Sequence, residues 1–210
     1  MRLELGKPVR CADGAVRELA DVVLEAGSSR VTHVVVRQPK RPESGRLVPI
    51  RLVEDGGALR CTEGVLDGLE PIREFAYVRA GEPLEDDPEW EVGVEEVYAA
   101  PQLEGATFGE YGVDVDQFVS VAYDRVPKGE IELRHASAVY SSDRHHMGCV
   151  EGVVVDADDT LTHLLLERGH LWWKREIAIP VDAVSKLETD VVTLGLTKPQ
   201  VEALPRGDRL

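Results

Sequence analysis

One set of three short apolar segments occurs twice in this chain, and that duplication limits the folds open to it more than any other feature. In the later copy, Val153-Val154-Val155 and Leu164-Leu165-Leu166 flank the polar turn at 156–160, and Ile177-Ala178-Ile179-Pro180-Val181 follows after a loop. Apolar runs of this length around a turn read as the two strands of a well-buried β-hairpin, with a third strand to follow. In the earlier copy, residues 21–25, 31–36 and Leu47-Val48-Pro49-Ile50 keep the same order, and Thr32-His33 stands where Thr162-His163 stands later. Val22 and Val153 are 131 positions apart but His33 and His163 only 130, so the turn at 26–30 of the first copy is one residue longer. A turn is where a repeat tolerates an insertion.

Both copies also begin and end alike. Leu3-Glu4-Leu5 and Val9-Arg10-Cys11 read as short strands interrupted at Gly6-Lys7-Pro8. Residues 58–61 read as a further strand, after which Thr62 can cap a short helix. At the other end, Val192-Thr193-Leu194 is followed by Thr197 and Gln200 in a capping-box pattern, with Pro199 in the first turn and Pro205 as the stop. About six short strands and a helical turn per copy match a small closed barrel.

Between the copies, residues 82–97 (EPLEDDPEWEVGVEEV) are half acidic, and 102–112 are rich in glycine. That composition suits a solvated linker or an arm wrapped on a surface. The aromatic residues there and the alternating 113–124 (VDVDQFVSVAYD) predict that part of it is a strand. The expected organisation is 1–72, a connecting segment 73–129, and 130–210.

Lys plus Arg number 24 against 39 Asp plus Glu, a formal charge of −15, which repels nucleic acid and anionic membrane surfaces. The basic stretch 37–46 (RQPKRPESGR) contains Glu43 and reads as a solvated hairpin loop. Three cysteines, Cys11, Cys61 and Cys149, show no CxxC spacing, and no run approaches the roughly 20 apolar residues of a membrane span. We expect a cytoplasmic chain without disulfides, bound to neither membrane nor nucleic acid.

In chain order these segments resemble the PRC-barrel family, named for the cytoplasmic domain of the photosynthetic reaction-centre H subunit and also found in a ribosome maturation factor. The resemblance is carried by residues 148–153 (GCVEGV), Leu161-Thr162-His163-Leu164-Leu165-Leu166 and residues 179–184 (IPVDAV), and more loosely by the first copy, where Asp21 replaces Gly152. It covers roughly 70% of the chain and leaves the middle unmatched. It implies an all-β chain of two small PRC-like β-barrels with short C-terminal helical turns, joined by a partly irregular acidic segment. It further implies a non-enzymatic module that binds a protein partner, by pairing of the two barrels within the chain or as a homodimer. An accessory role in ribosome assembly is the alternative suggested by the maturation factor. A small-ligand or metal-binding protein is another.

Catalytic and metal sites find little in the pattern. His145, His146, Cys149, His163 and His170 are close in sequence, but neighbouring histidines on a strand point to opposite faces, and zinc needs three or four converging ligands. His33 and His163 share one repeat position and read as structural, since a histidine can bury most of its ring and still hydrogen-bond the backbone. Glycines 105–112 are not followed by the Lys and helix of a phosphate loop. No catalytic residue, metal or cofactor is therefore expected. The candidate interaction surface is Leu171, Trp172 and Trp173 at a hairpin tip, with Val154 and Leu165, because triple apolar runs place apolar groups outside a barrel as well as inside.

Overall fold

The computed structural model describes residues 1–79, 87–99, 118–168 and 175–205. These are predominantly β, with two short α-helices. They divide into two compact units, Met1–Pro71 with Gly129–Leu210, and Ile72–Lys128. The two copies thus lie in one unit and the intervening segment forms the other.

The first copy contains β1 (Arg2–Glu4), β2 (Lys7–Arg10), β3 (Val16–Glu25), β4 (Val31–Gln38) and β5 (Arg41–Pro49), then a 3-10 turn at Ile50–Leu52 and helix α1 (Glu63–Asp67). The middle unit contributes β6 (Arg73–Arg79), β7 (Trp90–Ala99) and β8 (Phe118–Pro127). The second copy repeats the series as β9 (Glu130–Arg134), β10 (Ala138–Tyr140), β11 (His146–Val155), β12 (Leu161–Arg168) and β13 (Arg175–Pro180). A 3-10 turn at Val181–Ala183, β14 (Val184–Leu187), β15 (Val191–Leu194) and α2 (Lys198–Glu202) complete it. Valine is the commonest apolar residue of β4, β7, β8 and β11, where β-branched side chains pack well on a pleated surface, and leucine takes its place in β12.

The copies exchange their first strands. β1 pairs with β11 of the second copy, Leu3 opposite Val153, while β9 pairs with β3 of the first, Leu133 opposite Val22. Each sheet is built from both copies: β13-β12-β11-β10-β15-β14 with β1 on β11, and β2-β3-β4-β5 with β9 on β3. At the local twofold axis, Arg30 bridges Thr160. There the Val31 amide donates to the Asp159 carbonyl (2.7 Å) and the Leu161 amide to the Ser29 carbonyl (2.9 Å).

A single apolar core follows. Leu3, Val22, Val34, Val36 and Val48 share it with Leu133, Val153, Leu164, Leu166 and Ile179. Alternate residues on the same strands are buried too, Val35 opposite Leu47 and Leu165 opposite Ala178. Triple runs such as Leu164-Leu165-Leu166 are therefore apolar because both faces are covered.

Three local readings change. The stretch 37–46 is the solvated end of the β4–β5 hairpin, with Pro39, Lys40, Arg41 and Glu43 exposed, but its loop is shorter than expected: strand carries through to Gln38 and resumes at Arg41, and Arg37 donates from Nε (2.9 Å) and Nη2 (2.6 Å) to Glu18 across the sheet. The strand expected at 58–61 shrinks to one bridge, Val53 with Leu59. The described residues of the middle segment form a three-stranded antiparallel sheet in the order β6-β8-β7, while the acidic stretch 82–86 and the glycine-rich 102–112 lie outside the described residues. Trp90, Val92 and Val94 alternate with Glu91 and Gly93, so the acidic composition sits on a strand pattern. Arg73 joins Asp124 (2.8 Å), Arg125 joins Glu74 (2.9 Å), and the Arg125 guanidinium lies 4.2 Å from the centre of the Trp90 ring.

Candidate functional site

The exchanged strands leave their sheets at two crossing points, Leu5-Gly6 and His135-Ala136. Gly6 N–H donates to the Leu19 carbonyl (2.7 Å) and Ala136 N–H to that of Val150 (2.9 Å), both with left-handed backbone, φ 69° and 65°. The His135 ring lies over Gly6, where a Cβ would fall 2.8 Å from its Cε1. The His135 amide donates to Asp21 Oδ1 (2.7 Å), and Asp21 is only 7% exposed. Burial pushes the Asp21 carboxyl above its ordinary range, opposed by the His135 amide and by Arg37 and Arg134. The second copy has Gly152 at this place, and a Cβ there would meet the Leu3 carbonyl oxygen at 2.5 Å.

The repeated Thr-His pair has one geometry in both copies. His33 Nδ1 is 3.1 Å from Thr32 Oγ1, and His163 Nδ1 is 3.2 Å from Thr162 Oγ1. Each threonine hydroxyl lies within donating reach of a carbonyl on the neighbouring strand, Val23 (3.3 Å) or Val154 (3.1 Å). In the first copy Glu130 competes for that proton at 2.8 Å from Thr32 Oγ1, and lies 3.6 Å from His33. Burial pulls the His33 imidazole below its usual range, while the Glu130 carboxylate acts in the other direction. These groups tie neighbouring strands together through side-chain bonds to the backbone.

A polar cleft of about 490 Å³ opens beside β1 and β2. Its floor is Val9 and Leu19, its walls Arg2, Glu4, Lys7 and Pro8, and its rim the turn Asp55-Gly56-Gly57. Both glycines are left-handed, φ 84° and 85°, a backbone that L side chains rarely adopt, and a Cβ on Gly57 would lie 3.4 Å from Val9 Cγ1, in ordinary contact with the floor. Arg2 pairs with Glu4 (3.3 Å) and with Glu176 (2.6 Å). The volume is in the range of roughly 300 to 1,000 Å³ typical of ligand clefts.

Of the residues proposed as an interaction surface, Leu171, Trp172 and Trp173 lie outside the described residues. Val154 is half-buried opposite Arg2, and Leu165 is 1% exposed, so its outward position is already covered within the chain. His145 pairs with Asp143 (3.2 Å), the His146 ring meets Tyr140 edge-on (5.4 Å), His163 bonds Thr162, and His170 lies outside the described residues. Among the described residues no group of three or more His, Cys, Asp and Glu is placed to hold a metal ion. Cys11 and Cys61 are buried thiols whose pKa burial pushes up, which keeps them protonated.

A pair of aspartates escaped the sequence reading. Asp13 Oδ2 accepts from the first amide of α1 at Glu63 (2.9 Å), and Asp143 Oδ1 from that of α2 at Lys198 (3.0 Å), each from a turn far away in sequence. Their shared offset of 130 positions was the available signal. No protein-family model matches this chain, and no curated protein matches it in sequence.

Proposed function

We propose that this chain is a non-enzymatic protein-interaction or scaffold module built on two small barrels of the PRC type, paired within one molecule. One observation carries the reading: two copies with the same strand order, the same Thr-His pair and the same aspartate-capped helix exchange first strands around one core. Such a body is a platform whose loops can present side chains to a partner. In this reading residues 171–173 are the segment that recognises the partner. Each buried aromatic contributes on the order of 2–3 kcal/mol, which favours burial against a second protein.

The test is affinity capture from native extract on the immobilised chain, unaltered and with Trp172→Ser and Trp173→Ser combined. The reading expects a partner held by the unaltered chain and lost by the double variant. A chain that captures nothing, or whose partners are indifferent to both tryptophans, removes it.

A further inference from the structure

The second copy supplies an internal control for the cleft, because the same space there is filled by its own chain. Its β14–β15 hairpin, from Val184 to Leu194, is four residues longer than the Val53-to-Leu59 turn of the first copy. The extra length carries the tip onto β9 and β10. The Thr189 carbonyl accepts from the Arg134 amide (3.4 Å) and from Ser137 Oγ (2.8 Å), and the Asp190 carbonyl accepts from the Ala138 amide (2.9 Å). The Arg134 guanidinium then joins Asp190 (3.5 Å) and Glu132 (2.8 Å).

The strand pairings place Glu4 where the second copy has Arg134, Arg2 where it has Glu132, and Lys7 where it has Ser137. The ion pair on the first strand is thereby reversed: Arg2–Glu4 in the first copy stands for Glu132–Arg134 in the second. Odd-numbered residues of the first strand face β11, as the Met1 (2.6 Å) and Leu5 (2.8 Å) bonds show, so the alternation of the ladder turns the Glu4 amide to the other edge. β1 pairs with β11 alone among the described strands, and its residues Arg2 and Glu4 line the cleft. Pro8 occupies the place of Ala138 and has no amide hydrogen to offer, which matches the loss of one tip contact.

We infer that the cleft beside β1 and β2 is a docking site for a short extended segment of a partner protein bearing a basic side chain. The segment takes the place that the β14–β15 tip fills in the second copy, with the charge inverted. Its backbone carbonyl accepts from the Glu4 amide and the Lys7 ammonium, as Thr189 accepts from Arg134 and Ser137. Its basic side chain pairs with Glu4 and reaches Asp55 on the rim. Glu4 then serves two cations, as Arg134 serves two carboxylates. This is strand addition to an edge that no other described strand pairs, with backbone bonds for affinity and one charge for selection.

The inference rests on the interaction-module reading, and its test is separable from that one. The probe is acetyl-LETRVV-amide, residues 187–192 with arginine in place of Asp190, compared with the unaltered acetyl-LETDVV-amide, each titrated into the full 15N-labelled chain. The arginine peptide should shift amides of residues 2–8 and 55–57 and bind roughly fivefold more tightly than the aspartate peptide, as expected for one partly exposed charge contact. Glu4→Arg should reverse the preference and Glu4→Gln should abolish it. Binding by neither peptide, or binding that ignores the Glu4 charge, overturns the inference. A partner captured from extract equally by the unaltered chain and by Glu4→Arg overturns it as well, while leaving the interaction module standing.

Discussion

The two copies share the backbone course and the buried leucine of their exchanged strands and differ in the polar residues that those strands carry. Leu3 and Leu133 are both 0% exposed in equivalent pairings, and Gly6 and Ala136 make the same left-handed turn. Around that leucine, Asp21 stands where the second copy has Gly152, Glu4 where it has Arg134, and a short turn where it has a long hairpin. A shared core makes any change in one copy felt by the other, so the fully buried leucines match while the polar positions and turns around them have diverged.

The core half of that comparison yields the largest effects. Leu3→Ala and Leu133→Ala should each destabilise the molecule by about 2–5 kcal/mol, the usual range for truncating a fully buried leucine. Both should move one denaturation transition followed by the Met1–Pro71 plus Gly129–Leu210 unit as a whole. Separate transitions for the two copies in urea would show that each folds on its own core, and the strand exchange would lose its energetic meaning.

The crossing points should respond with opposite signs. Gly6→Ala puts an L side chain at φ 69° and drives its Cβ into the His135 ring, so a loss of about 2 kcal/mol is expected, with backbone strain supplying half or more. Ala136→Gly relieves the matching strain at φ 65° and should raise stability by up to about 1 kcal/mol. Thermal denaturation of both variants decides the matter. Equal losses at the two sites would mean that the crossing is not a matched pair.

Much of this architecture is legible in the residues. Val22-Val23-Leu24 and Leu164-Leu165-Leu166 announce strands covered on both faces, and Thr197 with Gln200 announces α2, whose first turn carries the Thr197 amide to Gln200 Oε1 bond (2.8 Å). Strand exchange is not legible, because Leu3-Glu4-Leu5 has the same pattern whether it pairs with its own copy or the other. The choice is made by Gly6 and Ala136, whose backbone turns are tertiary facts. Asp21 and His135 are 114 positions apart, beyond any local pattern. The cleft did leave a trace, since the offset between copies grows from 131 at Val53 and Val184 to 135 at Leu59 and Leu194. A deletion in a turn is easily read as neutral, and its consequence appears only when the uncovered strand edge is seen.

The smallest effects come from two aspartates with opposite pH responses. Asp21 has its folded pKa raised above the ordinary 3.8 by burial, so its contribution favours folding below about pH 3.8 and is lost as pH rises through the folded value. Asp143 is held at about 2, against 3.8, by its bonds to the Ser141 hydroxyl and the Lys198 amide. Its contribution is present above pH 3.8 and lost as pH falls toward 2. Asp21→Asn keeps an oxygen for the His135 amide, and Arg37 and Arg134 keep Glu18 and Glu132, so it should raise the melting temperature at pH 7 and leave it unchanged near pH 3. Asp143→Asn should lower it at pH 7, by an amount that shrinks as pH falls from about 3.8 through 2. Melting curves from pH 2 to 7 separate the cases. Two substitutions acting in the same direction at pH 7 would mean that the Asp21 carboxylate is held by its arginines more strongly than it is penalised by burial, and the first copy would then be stabilised, not burdened, by the acid that its twin replaces with glycine.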